Sequence, residues 1–164
     1  MTLRLGLHDF FVANADPINK GKMMRICGIE LAANDAVVCI LQQDSGQFTL
    51  PECRVRKLSL PKDHSREDLQ QFQFAFAKLM SDYKVGKVAI KERPTKGKFA
   101  GGAVSFKLEA AIELIAELEV VLLTAAQIKT ALSAKPLPIS AANAGLKTFQ
   151  ETAFTVAYAA HVMN

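Results

Sequence analysis

Arg25-Ile26-Cys27-Gly28-Ile29-Glu30-Leu31 reads as a central β-strand with a carboxylate inside it. Apolar residues at successive positions mark a strand covered on both faces. Glu30 is therefore the residue to explain, because burying an unpaired carboxylate costs on the order of several kcal/mol. Such a group implies a metal ion, a cationic partner or a hydrogen-bond cage, and the plainest alternative is a neighbouring lysine or arginine. Two more carboxylates stand in comparable settings. Glu92 follows Val88-Ala89-Ile90-Lys91 as the chain enters a Gly/Lys loop, and Glu151 opens the apolar segment Thr152 to Met163. The expectation is that all three meet in space.

Working outward, Ala32-Ala33-Asn34-Asp35 is a short polar link, so Ala36 to Gln42 should return antiparallel to the first strand. Asp44-Ser45-Gly46 supplies turn chemistry, and a third strand is predicted near Cys53 to Leu60, with Arg54, Arg56 and Lys57 marking a solvated edge. Ser65 and Asp68 have capping-box spacing, followed by Leu69, Phe72, Phe76, Leu79, Met80 and Tyr83 at helical spacing. Val85 to Lys91 reads as a strand, Ala103 to Glu117 as a helix through Leu108, Ala111, Ile112 and Ile115, and Val120 to Leu123 as a buried strand. Strands alternating with helices require parallel crossovers. Thr124 and Gln127 repeat the capping box for a short helix that Pro136 and Pro138 stop, and a final helix is predicted from Leu146 to Val162. The linker-like stretches Arg93 to Gly102 and Ser133 to Gly145 are both candidate functional loops.

With 164 residues, half of them apolar, the chain suffices for one domain. A net charge of +4 and a pI near 9.0 permit a polyanionic partner without giving the dense basic stripe of a dedicated nucleic-acid binder. Cys27, Cys39 and Cys53 match no zinc or redox spacing and read as buried thiols from a reducing compartment. With no apolar run of transmembrane length and no secretory signal pattern, the expected location is the cytoplasm, away from any membrane. Met1 to Lys22 has no sustained period and leads into Met23-Met24, so residues 1–23 are read as a dispensable extension, such as one from an upstream start codon, with the domain at 24–164. The competing reading is a docked arm using Leu5, Leu7, Phe10 and Phe11.

Three antiparallel strands, helix, strand, helix, strand and closing helices is the element order of the ribonuclease H-like fold. That fold is α/β, here a five-stranded mixed sheet flanked by helices, with strand one beside strand four. Ligands tend to bind in the crevice where strand order reverses, so Glu30 and Glu92 would be neighbours there. Cys27-Gly28-Ile29-Glu30 resembles a Gly-Ile-Asp first-strand motif, Ala89-Ile90-Lys91-Glu92 a strand-four motif ending in glutamate, Gln127-Ile128-Lys129 a segment with an active-site lysine, and Glu151-Thr152-Ala153 an Asp-Ala helix start. From Met24 onward the chain is similar to the Holliday-junction resolvase branch of the ribonuclease H-like superfamily, and reads as a small, uncharacterised bacterial family on that branch. It departs from the pattern in three places: Glu30 replaces aspartate, Leu31-Ala32 replaces Pro-Gly, and Thr148 stands where a fourth carboxylate is expected.

The resemblance implies two-metal hydrolysis of structured DNA or RNA by Mg²⁺ or Mn²⁺. Glu30 would bridge the metals, Glu92 and Glu151 would each bind one, and Lys129 would neutralise charge on the phosphate. Lys91, Arg93, Lys96 and Lys98 would position the strand through phosphate contacts. The alternative is a catalytically inactive module of the same fold that binds nucleic acid or a protein partner. Blander readings stand beside each residue: Glu92 as a solvated loop-edge charge, Glu151 as the acidic half of a Thr148–Glu151 capping box, and Lys129 as a surface charge. His8, His64 and His161 lack metal-ligand spacing and read as structural. The loop from Arg93 lacks a P-loop ending, and the chain is too short for the second lobe of an actin-like ATPase. The apolar face of Ala103 to Glu117 could pair two subunits as a homodimer.

Overall fold

Alternation along β1 (Met23–Ala32) decides the architecture. The computed structural model describes residues 23–164, so the question of an extension or an arm at residues 1–22 lies outside the described residues. On β1, Cys27, Ile29 and Leu31 point to one face of the sheet and Ile26 to the other. β1 pairs antiparallel with β2 (Asp35–Asp44) along its whole length and parallel with β5 (Lys87–Lys91), which pairs parallel with β6 (Val120–Leu123).

The third rank of the sheet differs from expectation. Instead of one strand over Cys53 to Leu60, two short strands, β3 (Gln47–Thr49) and β4 (Lys57–Ser59), both pair with β2, giving six strands in five positions. Ser45 and Gly46 adopt φ of 52° and 81°, so the turn closes at once and pairing resumes at Gln47 opposite Asp44. Pro51 has no N–H for a ladder and the chain runs irregular until Lys57.

Among the described residues four helices flank the sheet: α1 (Arg66–Asp82), α2 (Ala103–Glu113), α3 (Ala125–Ala134) and α4 (Glu151–Met163). Both predicted capping boxes form. Ser65 Oγ accepts from the Asp68 amide at 3.2 Å while Asp68 accepts from the Ser65 amide at 2.9 Å, and Thr124 and Gln127 repeat the exchange at 3.1 and 2.9 Å. α2 stops at Glu113, short of the predicted Glu117, which itself takes a φ of 64° that no α-helix continues. Its Leu108, Ala111 and Ile112 pack inside the chain. The closing helix also starts late, because Gln150 binds Lys147 N–H at 3.1 Å through its carbonyl and donates to Val38 O at 3.1 Å through its amide. That tie holds residues 148–150 in a separate 3-10 turn.

α1 and α2 seal one face through Phe72, Phe76, Leu79, Met80, Leu108 and Ile112. α3 and α4 cover the other, where α4 is buried from Ala153 to His161 apart from Thr155. α4 lies directly on β1 because Gly28 has no side chain, and an added Cβ would collide with Ala153 O and Ala157 N. The linker-like stretch Ser133 to Gly145 is pinned by the Tyr158 hydroxyl against Lys135 O and Pro136 O, each at 3.1 Å, and by buried Ala141 and Ala144. Cys27 and Cys39 are buried thiols as expected, and burial pushes Cys39 up to about 12. Among the described residues, no helix is long and apolar enough to cross a membrane.

Candidate functional site

The β1–β5 register ends at Ile29 opposite Ile90, and one further step brings Glu30 level with Lys91. Parity puts both on the α3/α4 face, since Ile29 and Ile90 belong to the opposite core. Glu30 is half-buried near the strand end rather than enclosed. β1 and α4 run in opposite senses: Ile26 clusters with Val156, Ala159 and Ala160, while Gly28 lies under Ala153. Glu30 therefore points towards the start of α4, where Glu151 is the first residue.

A cleft of about 440 Å³ opens beside this corner, and Lys91, Lys129 and Glu151 all line it. Each comes from a different element. Lys91 is the last residue of β5, Lys129 rises from α3 behind the Thr124–Gln127 cap, and Glu151 starts α4. The Thr148–Glu151 capping box does not form, because Gln150 supplies the local turn contacts instead. The exposed Glu151 carboxylate makes no hydrogen bond or ion pair among the described residues, leaving it available to a ligand. The cleft's apolar side, with Ala125 and Leu132 at the surface and Ile128 and Val156 packed behind, is not among the expected site residues, although the helical spacing of Ile128 and Leu132 is a usable signal.

Glu92 goes elsewhere. One residue past Lys91, it turns to the α2 side, where its charge helps to raise the Glu109 carboxyl. The expected meeting of Glu30, Glu92 and Glu151 is thus not observed, and among the described residues no group of three His, Cys, Asp or Glu side chains is placed to hold a metal ion. The reason is parity: neighbouring residues at a strand end face opposite sides of the sheet.

Arg93 also departs from its expected phosphate contact. Its guanidinium pairs with Glu109 at 3.2 Å, lies 4.6 Å from the Phe106 ring centroid, and its side chain is only 11% exposed. Burial pushes the Glu109 carboxyl up, and the charge of Arg93 pulls it back. Gly101 N–H to Pro94 O at 2.9 Å ties the two ends of the following loop, so this segment is anchored at its base. Lys96 and Lys98 remain exposed on it, Lys98 lying 5.8 Å from the centroid of the exposed Phe99. The histidines match the structural reading where they are described. His161 is buried with Nε2 donating to Leu41 O at 2.8 Å, His64 meets Lys107 at 3.1 Å, and His8 lies outside the described residues.

Comparison with known proteins agrees with this geometry at the level of fold. Thermus thermophilus RuvC matches with a TM-score of 0.65 at 13% identity, over 85% of this chain and 94% of that one. T. thermophilus RuvC in complex with a Holliday junction substrate matches at 0.59 and 15% identity, over 85% and 93%. The chain therefore has the ribonuclease H-like fold of that resolvase, an α/β sheet of mixed direction flanked by helices. No curated protein matches by sequence. A family model does match, over residues 24–160, and the chain belongs to that family, described as Protein of unknown function (DUF3010).

Proposed function

We propose that this chain is a nuclease-like module that takes a phosphodiester backbone in the cleft between α3 and α4 and hydrolyses structured DNA or RNA there with a divalent ion. The observation that carries the reading is the convergence of Lys91, Lys129 and Glu151 on one cleft, beside Glu30, at the C-terminal ends of β1 and β5. Strand ends at such a reversal of direction are where open α/β sheets bind ligands. The fold shared with a resolvase solved on its Holliday junction supports a nucleic-acid substrate.

Among the described residues there is no self-contained three-carboxylate centre. The residues present fit an ion that Glu30 and Glu151 would hold from one face, with phosphate oxygens and water completing the set, which is how Mg²⁺ is commonly held at phosphoryl sites. Mg²⁺ or Mn²⁺ bound there would supply Lewis-acid stabilisation and a more acidic water. The chain's own part is electrostatic. The ammonium groups of Lys91 and Lys129 attract the backbone and offset negative charge on the phosphate, and pairing of β5 with β6 at Leu123 holds Lys91 in place. Lys96 and Lys98 extend the contact along the strand.

A second reading, binding without cleavage, is favoured by one specific observation: β5 presents a lysine, not a carboxylate, to the face that carries Glu30. Incubating the chain and Glu30→Gln with branched DNA and structured RNA in Mg²⁺ or Mn²⁺ separates the two. Metal-dependent cutting by the wild type that Glu30→Gln loses supports hydrolysis. Binding without cutting, weakened by Lys129→Gln, supports the second reading, and no binding to any of these substrates removes both.

A further inference from the structure

We propose that the α3/α4 cleft accepts one unpaired nucleotide, so that the chain engages nucleic acid at a single-stranded or splayed position rather than along an intact duplex. This rests on the reading of the cleft as a phosphodiester site and adds to it the form of the strand that enters. Size is the first argument. At about 440 Å³ the cleft falls in the range of roughly 300–1,000 Å³ typical of pockets for single small molecules. Contact with an intact duplex instead spreads over roughly 1,000–2,500 Å² of protein surface.

The lining gives the second argument. Backbone phosphates would need only the cations Lys91 and Lys129, yet the same cleft has an apolar side, with Ala125 and Leu132 at its surface and Ile128 and Val156 packed behind them. A phosphate gains nothing from that side, whereas the flat face of a base does, since apolar contact replaces the stacking it loses on leaving its neighbours. The Ser133 and Thr155 hydroxyls in the same lining donate to Lys129 O and Glu151 O and keep lone pairs that can accept from base N–H groups, which a duplex keeps paired. Cations for the phosphate, an apolar side for the base face and acceptors for its edge together describe a nucleotide with its base exposed.

The test compares a short labelled oligonucleotide as a single strand and as a blunt duplex of the same sequence, by fluorescence anisotropy with chelator present so that no cutting intervenes. The single strand should bind about 10-fold or more tightly than the duplex. Ser133→Trp and Ala125→Trp, both at exposed helix positions lining the cleft, should remove that preference while leaving duplex binding and the melting temperature unchanged. Equal affinity for the two forms, or tryptophan variants indistinguishable from wild type, overturns the inference while the phosphodiester reading stands. Failure to bind either form overturns both.

Discussion

The two faces of the sheet are built on different terms. Against α1 and α2, every β1 and β5 residue that turns inward between Cys27 and Leu31 or Val88 and Ile90 is apolar, and aromatic and aliphatic side chains close over them. Against α3 and α4, β1 presents Ile26, then a glycine, then Glu30, and the packing is helix backbone on strand backbone. The first face is filled by side chains and tolerates small changes of volume. The second depends on a close approach that leaves no room at Gly28 and opens, where the strands end, into the cleft. The cleft thus opens on the face where helix and strand backbones meet, while the opposite face is closed over by side chains.

The largest way to break this comparison is Gly28→Val, which forces side-chain atoms into the backbone of α4 at Ala153 and Ala157. A loss of at least ~3 kcal/mol is expected, since neither helix backbone nor central strand can yield cheaply. The control on the opposite face is the neighbouring Ile29→Val, expected to cost about 0.5–1.5 kcal/mol by removing one methylene from a side-chain core. Chemical denaturation of both variants reads the difference directly. Similar losses at the two positions would remove the distinction between the faces.

Acid sensitivity is the next difference. His161 on α4 is 5% exposed, and its position between Leu41 O and the Phe48 ring shields it from solvent. Burial lowers its pKa to about 4, with Lys87 acting in the same direction and the Leu41 contact opposing. The folded value lies below the unfolded value of 6.5, so the unfolded chain takes up the proton first. Stability from this group is complete above about pH 6.5 and is lost as pH falls towards 4, in total about 3 kcal/mol. His161→Gln, which keeps a donor for Leu41 O but cannot titrate, should flatten that part of the stability curve. An unchanged acid slope in the variant would assign the sensitivity elsewhere.

What sequence could show follows the same division. The two capping boxes, the β1–β2 hairpin and the order of strands and helices were legible because each depends on residues within a few positions of one another. The gathering of Lys91, Lys129 and Glu151 on one cleft was not, since the expected meeting was that of Glu30, Glu92 and Glu151 and the cleft follows only from how the elements pack. The split third strand was obscured by a turn that closes two residues after β2. The late start of α4 depends on Gln150 reaching Val38, 112 positions away, which no local pattern reveals. Glu92 is the instructive case. Its parity against buried Ile90 was readable and put it on the opposite face from Glu30, but a motif ending in glutamate drew attention to the residue type instead of the side it faces.

Arg93 tests the first face through a mostly buried ion pair. Removing the guanidinium in Arg93→Ala leaves the Glu109 carboxylate, whose side chain is 15% exposed, without its partner beneath the loop. A loss of about 2 kcal/mol is expected, below the usual figure for a fully enclosed pair because both groups keep some solvent. Arg93→Met, which retains the contact with Phe106, should lose less. If affinity for nucleic acid fell in Arg93→Met while its melting temperature held, Arg93 would have to be returned to the phosphate contacts from which its packing removes it.

The smallest change in stability, and the sharpest test of the cleft face, is Lys91→Glu. Lys91 is half-buried at the end of β5 with its charge at the cleft, so its replacement should cost no more than about 1 kcal/mol in the absence of metal. It would bring a third carboxylate to the face already holding Glu30 and Glu151. The free wild-type chain, with two carboxylates and a lysine there, should show no rise in melting temperature on titration with Mg²⁺ or Mn²⁺. The variant should show one, because a ligand held only by the folded state must stabilise it, by about 2.7 kcal/mol at a hundredfold excess over Kd. The added Glu30→Gln change should abolish the rise. A wild-type chain already stabilised by metal would mean that Glu30 and Glu151 hold an ion despite the lysine beside them, and would strengthen the hydrolytic reading. A variant that gains nothing would show that Glu30 and position 91 do not share a face closely enough to act together, contradicting the register that puts them level.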